Sequence, residues 1–315
     1  MSKIEVTQYL IQHHMHNFNS KQSFYAFFGD APKKYKVYSI PKRTSGTRII
    51  AQPIRQLKDF QRSLILLLEN DFPIHNCCMA YMKGKNIKKN ALIHSKNSFF
   101  LKMDFMDFFN SITPKLFWEA CERKNIEFDW FDKEIVERTL FWRPSKYSNK
   151  LILSIGAPSS PFISNFLMYS FDEVLNEYCE KNGITYTRYA DDLTFSTNTS
   201  GILFDMPNIV RESLLQLYGT KIQINQLKTA FSSKKHNRHI TGVTITNDDA
   251  ISIGRAKKRY IKHLVHNFIE NKLTIEDLNY LRGYLGFIKY IEPKFLTTLE
   301  QKYTQTVIQK IRLGS

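Results

Sequence analysis

The stretch Thr185-Tyr186-Thr187-Arg188-Tyr189-Ala190-Asp191-Asp192-Leu193-Thr194-Phe195-Ser196 constrains this chain more than any other. Thr185, Thr187 and Tyr189 alternate with Tyr186 and Arg188; Leu193 and Phe195 then alternate with Thr194 and Ser196. Period-two patterning in β-branched and aromatic residues predicts two strands with Ala190-Asp191-Asp192 at the turn. Two adjacent carboxylates repel unless a cation sits between them. A hard divalent cation, which takes carboxylate and phosphate oxygens, would resolve the conflict. On its own the pair is also compatible with a solvated turn.

A second acidic strand strengthens the first. In Ser98-Phe99-Phe100-Leu101-Lys102-Met103-Asp104-Phe105-Met106-Asp107-Phe108-Phe109, Asp104 interrupts an apolar run, where a carboxylate is costly unless paired or metal-bound. Beside the hairpin, Asp104 and Asp191 could hold two Mg²⁺ ions about 3.5–4 Å apart, an arrangement used for in-line displacement at phosphorus. The formal net charge of +16 argues for a polyanionic partner and is silent on fold. A merely basic surface is the alternative. With 315 residues the chain can bury a large core and divide into two or three lobes.

The cysteines, Cys77, Cys78, Cys121 and Cys179, form no Cys-x-x-Cys pair, so neither a zinc site nor a disulfide framework is indicated. Reduced thiols in a cytoplasm are expected. Met1 to Ser20 lacks the apolar core of a signal peptide, and no later run approaches the roughly 20 apolar residues of a membrane span. His13-His14-Met15-His16 reads as part of a surface helix starting near Val6 rather than a metal site.

Residues 1–30 read as short helices. Two basic alternating runs around Ser45-Gly46 predict a hairpin whose Lys42, Arg43 and Arg48 suit template or nucleotide phosphates, or merely solvent. An amphipathic helix is expected over Leu57 to Leu68. Asn90 and His94 read as a helix-surface pair at i, i+4. Residues 114–143 read as scaffold helices. Ser160 as N-cap and Pro161 at the first helical position open a long helix with an apolar stripe at Ile163, Phe166, Leu167, Phe171, Val174, Leu175 and Tyr178. Gly183 follows its end. Gly156 would let backbone approach a nucleotide or template closely, or simply serve a helix-start loop. Lys221 to Thr229 and His239 to Ile245 read as strands. Residues 254–312 turn helical, and the first helix carries Tyr260, Ile261, Leu264, Val265 and Phe268 on one face. Arg255, Lys258, Arg259, Lys262 and His266 lie on another, suited to a duplex backbone or to solvent. Thr274 with Asp277 resembles a capping box.

Tyr189-Ala190-Asp191-Asp192, preceded by the Asp104 strand, resembles the palm of a reverse transcriptase. The order of motifs is similar to that of the right-hand polymerases over most of the chain. Within them, Asn90-Ala91-Leu92-Ile93-His94 resembles the Asn-Ala-x-x-His signature of bacterial retron reverse transcriptases. Ile240-Thr241-Gly242 resembles their Val-Thr-Gly signature with isoleucine in place of valine. Ala157-Pro158-Ser159-Ser160-Pro161 and Tyr186 to Asp192 also carry the retron wording.

The resemblance implies an α+β fold with fingers, an antiparallel palm and a C-terminal helical thumb. The expected divisions are 1–97 for N-terminal helices and fingers, 98–245 for the palm with some finger elements near 114–153, and 246–315 for the thumb. The thumb is expected to use up the chain, leaving no RNase H, maturase or endonuclease domain. Asp104, Asp191 and Asp192 are implied as catalytic metal-binding carboxylates for two Mg²⁺ ions, with Mn²⁺ able to substitute. Phe109 falls at the steric-gate position, and Gly156, Ala157 and Pro158 in the nucleotide-contacting turn. Lys228 falls near the triphosphate, and Arg48 is a phosphate clamp. Asn90, His94, Arg255, Lys258, Arg259 and Lys262 are the expected RNA contacts.

Retron enzymes are implied to copy a structured noncoding RNA from the 2′-hydroxyl of an internal guanosine, using dNTPs, into branched RNA-linked single-stranded DNA (msDNA). A host RNase H removes the copied RNA, and an effector protein joins in antiphage defence. The rivals are a group II intron-like or diversity-generating reverse transcriptase primed from a 3′-hydroxyl, and a catalytically idle RNA-binding defence component.

Overall fold

The computed structural model describes residues 4–42 and 46–313; Arg43 and Ser45 of the basic hairpin lie outside the described residues. Helices α1 (Val6–His14) and α2 (Lys21–Asp30) open the chain. The buried Asp132 carboxylate accepts from the Val6 and Thr7 amides at 3.0 and 2.8 Å, satisfying donors that the first turn of α1 leaves open. Strands β1 (Tyr35–Pro41) and β2 (Thr47–Pro53) form the expected hairpin, Tyr35 facing Pro53. Helix α3 (Arg55–Leu68) buries Leu57, Phe60, Leu64 and Leu68 at helical spacing.

After α4 (Ile87–His94) comes β3 (Phe99–Asp104), then α5 (Phe108–Ser111), α6 (Pro114–Arg123) and α7 (Trp130–Leu140). Helices α8 (Ser160–Leu167) and α9 (Tyr169–Lys181) lead to β4 (Thr185–Tyr189) and β5 (Asp192–Thr197). Then follow α10 (Met206–Tyr218), β6 (Ala230–Ser233), β7 (Arg238–Ile240), β8 (Val243–Ile245) and β9 (Ile251–Ser252). Four helices finish the described chain: α11 (Arg255–Ile269), α12 (Ile275–Ile291), α13 (Pro293–Tyr303) and α14 (Gln305–Leu313). Thr274 caps α12, its hydroxyl accepting from the Asp277 amide at 3.1 Å.

The central sheet runs β4-β5-β3-β6, all neighbours antiparallel. One hydrophobic core joins it to α1–α3 and α6–α10. A second gathers α11–α14 with Val243, Ile253 and Ala91. All four cysteines are free and buried. No described helix is long and apolar enough to cross a membrane.

Several local expectations are corrected. The helix expected from Ser160 starts one residue earlier: Ser159 is the N-cap, and the Ser160 hydroxyl is buried without a partner among the described residues. That helix is also two, broken at Met168, where ψ is 0°. Val174 leaves the apolar stripe and is 44% exposed, and Tyr260 leaves its own face at 41%. Lys221 to Thr229 is no strand; Ile224 makes a single bridge to Phe105 before a 3₁₀ turn at Gln226–Lys228. The strand expected over His239 to Ile245 folds back on itself. Thr241 and Gly242 take φ of +44° and +88°, a left-handed pair whose twist matches a two-residue hairpin.

Candidate active site

The hairpin register delivers the carboxylates. Asp104 ends β3 directly opposite Asp192, the first residue of β5, and the Phe105 amide donates to the Asp191 carbonyl at 3.1 Å. Ala190 turns the chain at φ +57°, a costly conformation for a residue with a Cβ. What holds it is Arg188, whose guanidinium donates to the Ala190 carbonyl at 3.1 Å. The same group binds Asp172 from Nε and Nη2, the shortest contact being 2.6 Å, with both side chains fully buried. Sequence reasoning passed over Arg188 and Asp172; a charged residue inside an aromatic strand was the available signal.

The three carboxylates feel one another. Burial and then the Asp104 charge raise the Asp191 carboxyl, while Lys228 and Arg48 pull it back. Burial beside it, then the Asp191 and Asp104 charges, push Asp192, which water still reaches, up to about 7. Lys228 donates to both Asp104 oxygens at 2.9 Å. Among the described residues no group of three His, Cys, Asp or Glu side chains is drawn together closely enough to hold an ion as it stands. Asp104 is instead turned to the Lys228 ammonium. The donor set itself, three carboxylates around one turn, fits a hard divalent cation.

A cleft of about 380 Å³ is lined by Phe109, Gly156, Ala157 and Pro158; Arg48 and Lys228, expected beside the same nucleotide, are not among its lining residues. Its other wall adds residues that sequence reasoning missed: Gln52, Lys58, Arg62 and Tyr81. Lys58 and Arg62 stand at i, i+4 on the polar side of α3, which was the signal for them. Tyr81 holds φ +59°, is 59% exposed, and has its phenol pushed up by burial and then by Asp191. Gly156 lines the cleft and also meets the chain itself. A Cβ at its φ of +125° would lie 3.0 Å from the Ala51 carbonyl oxygen and 3.1 Å from Ile50, so the close approach is to β2 of the chain itself.

The RNA-contact expectations divide. Arg255 and Arg259 are exposed on α11. Lys258 is not a free surface charge: it binds Glu292 at 2.5 Å and lies over Phe295, and Lys262 stands over the same ring at 5.8 Å. Asn90 and His94 are corrected outright. Both are fully buried and cannot meet RNA as a surface pair. Complete burial lowers the His94 pKa to about 3, so the ring is neutral. A folded pKa below the unfolded value of 6.5 means stability is full above about pH 6.5 and is lost as pH falls toward 3. From pH 7 to pH 5 this group should remove about 2 kcal/mol. Urea titrations of wild type and His94→Gln should show that difference in slope; parallel pH dependences would contradict it.

Residues 40–245 match the family model for reverse transcriptase (RNA-dependent DNA polymerase). The retron Ec83 reverse transcriptase of Escherichia coli is 48% identical over 279 residues, 88% of this chain and 89% of the relative. The retron Ec73 reverse transcriptase of the same species is 33% identical, over 88% and 89%. The chain belongs to the retron reverse transcriptases. It is an RNA-directed DNA polymerase of right-hand fold, and its family works with divalent metal on an RNA template. Among solved structures, this reverse transcriptase overlays telomerase from Candida albicans with a TM-score of 0.47 and 14% identity, covering 93% of this chain and 65% of that one. Apo telomerase from Candida tropicalis gives 0.48 and 12%, covering 86% and 58%. The retron enzyme thus spans less than two thirds of either telomerase chain.

Proposed function

We propose that this reverse transcriptase copies a structured noncoding RNA into msDNA, starting from the 2′-hydroxyl of an internal guanosine. Asp104, Asp191 and Asp192 would hold two Mg²⁺ ions, with Mn²⁺ able to substitute. Bound there, the metal supplies charge neutralisation at the attacked α-phosphate and acidifies the attacking hydroxyl. The single observation that carries the reading is the register that sets Asp104 opposite Asp192 beside Asp191. Lys228, once released from Asp104, is free to meet the triphosphate, and Arg48, close enough to lower Asp191, can clamp it from the β1–β2 hairpin. Arg255 and Arg259 meet RNA phosphates, since A-form RNA is read mainly through its backbone and minor groove.

In this reading residues 1–97 form the N-terminal helices and fingers, 98–245 the palm and 246–315 the thumb. A host RNase H trims the product, and an effector protein completes an antiphage system. The test is synthesis by the purified enzyme on the RNA encoded beside its gene, with dNTPs and Mg²⁺. A product cut by a 2′–5′ debranching activity is expected; a product extended only from a 3′ end contradicts the reading.

Phe109 supplies a second test. Its half-buried ring packs on Phe108 and lines the cleft with Gly156, Ala157 and Pro158. A ring there excludes a ribose by clash with the 2′-hydroxyl, which is discrimination by repulsion. Phe109→Val should raise ribonucleotide incorporation relative to deoxynucleotide at least about tenfold. Unchanged kcat/KM ratios would remove Phe109 from that role.

A further inference from the structure

The hairpin strands that carry the carboxylate turn pack in the first hydrophobic core and the C-terminal helices form the second; α4 belongs to the second and reaches the hairpin through polar contacts. His94 reaches the two strands of the hairpin at once. Its Nε2 lies 2.7 Å from the Thr187 hydroxyl on β4, and its Nδ1 lies 2.7 Å from the Ser196 hydroxyl on β5. Thr187 donates its own proton to Asn90 Oδ1 at 2.7 Å, so in this orientation it accepts from His94 Nε2–H, and Nδ1 accepts from Ser196. Asn97 donates to Ser196 at 2.7 Å and to Thr185 at 3.0 Å, closing the network. A neutral imidazole, with a donor at one end of the ring and an acceptor at the other, is the side chain that can tie two hydroxyls this way.

The same buried face of α4, at i, i+3, i+4 and i+7, also meets the second core. Ala91 is buried there beside Val243 and Ile253, with Ile87 packed against them. Lys88 donates to the Tyr290 carbonyl at 2.8 Å, at the negative end of α12. From β7, the buried Arg238 donates to the carbonyls of Ser95 and Asn97, just past the end of α4, at 3.1 and 2.6 Å. Strand β4 has β5 on one edge and a backbone bridge from Cys78 to Arg188 on the other, the Arg188 amide donating to the Cys77 carbonyl at 3.0 Å and the Met79 amide to the Arg188 carbonyl at 2.7 Å, so what α4 adds is side-chain ties between the two hairpin strands.

We infer that α4 is a strut that fixes the Asp191–Asp192 turn relative to the C-terminal helices, with Asn90 and His94 as positioning residues for nucleotidyl transfer. The inference rests on the carboxylate site proposed above. It replaces RNA contact as the role of the Asn90 to His94 segment: the polar pair stops one hairpin strand from sliding against the other, and Ile87 and Ala91 on the same face lock that hairpin to the helices beyond.

The test is single-nucleotide incorporation by the full chain on its RNA, well below each variant's melting temperature. His94→Phe and the isosteric Thr187→Val should lower kcat at least about tenfold, with the dNTP KM and the RNA Kd held within about twofold. His94→Gln, whose amide can stand where Nε2 stands, should recover most of the loss. Thr187→Val keeps the trial decisive if His94→Phe does not fold. Wild-type kcat in the folded variants would overturn the inference, and so would an RNA Kd that rises in step with the loss of kcat. Asp191→Asn run in parallel tells the two readings apart: synthesis surviving in it sinks the carboxylate site, whatever the His94 variants do.

Discussion

Asp191→Asn is expected to abolish DNA synthesis, by at least about a thousandfold in kcat, while the protein keeps its fold. The asymmetry follows from the electrostatics. Burial and the Asp104 charge both work against an ionised Asp191 in the folded chain. A neutral amide of the same shape relieves that repulsion. The melting temperature in chelator should therefore equal or exceed that of wild type. Primer extension and thermal melts on the same preparation check both halves; a variant that still synthesises DNA contradicts the assignment.

Arg188→Met should be the most destabilising single change, costing about 3–5 kcal/mol, because it strands Asp172 as a buried, unpaired charge. Tyr186 donates to Asp172 at 2.9 Å but carries no charge to offset it. The double change Arg188→Met with Asp172→Leu should regain most of the loss, since an apolar pair of similar volume avoids desolvating two ions. Activity should not return with stability. Without the guanidinium the Ala190 carbonyl loses its Arg188 donor, and the left-handed turn that carries Asp191 is free to relax. Denaturant titration and incorporation assays on the single and double variants separate these effects. A single variant within about 1 kcal/mol of wild type would contradict the account.

How far the sequence could be read depended on the reach of each signal. The β4–β5 hairpin was legible because two alternating runs and an acidic turn sit within one short segment. Asp104 was legible because a carboxylate interrupting an apolar strand has few inexpensive explanations. His94 was misread for the opposite reason: its partners, Thr187 and Ser196, lie 93 and 102 positions away. A polar pair at helical spacing looks like a surface until those hydroxyls are in place. Gly156 was correctly singled out for close approach, but what approaches it is β2, which no local pattern announces. Lys221 to Thr229 misled because Ile222 and Ile224 alternate like a strand, although only Ile224 finds a bridge partner.

The most direct measurement is the binding of Mn²⁺, a spectroscopic stand-in for Mg²⁺, to the full chain in the presence of RNA and a dNTP. Followed by electron paramagnetic resonance, wild type is predicted to take up ions that Asp104→Asn and Asp191→Asn each fail to hold. Equal Mn²⁺ uptake by all three proteins would mean that these carboxylates do not build the metal site.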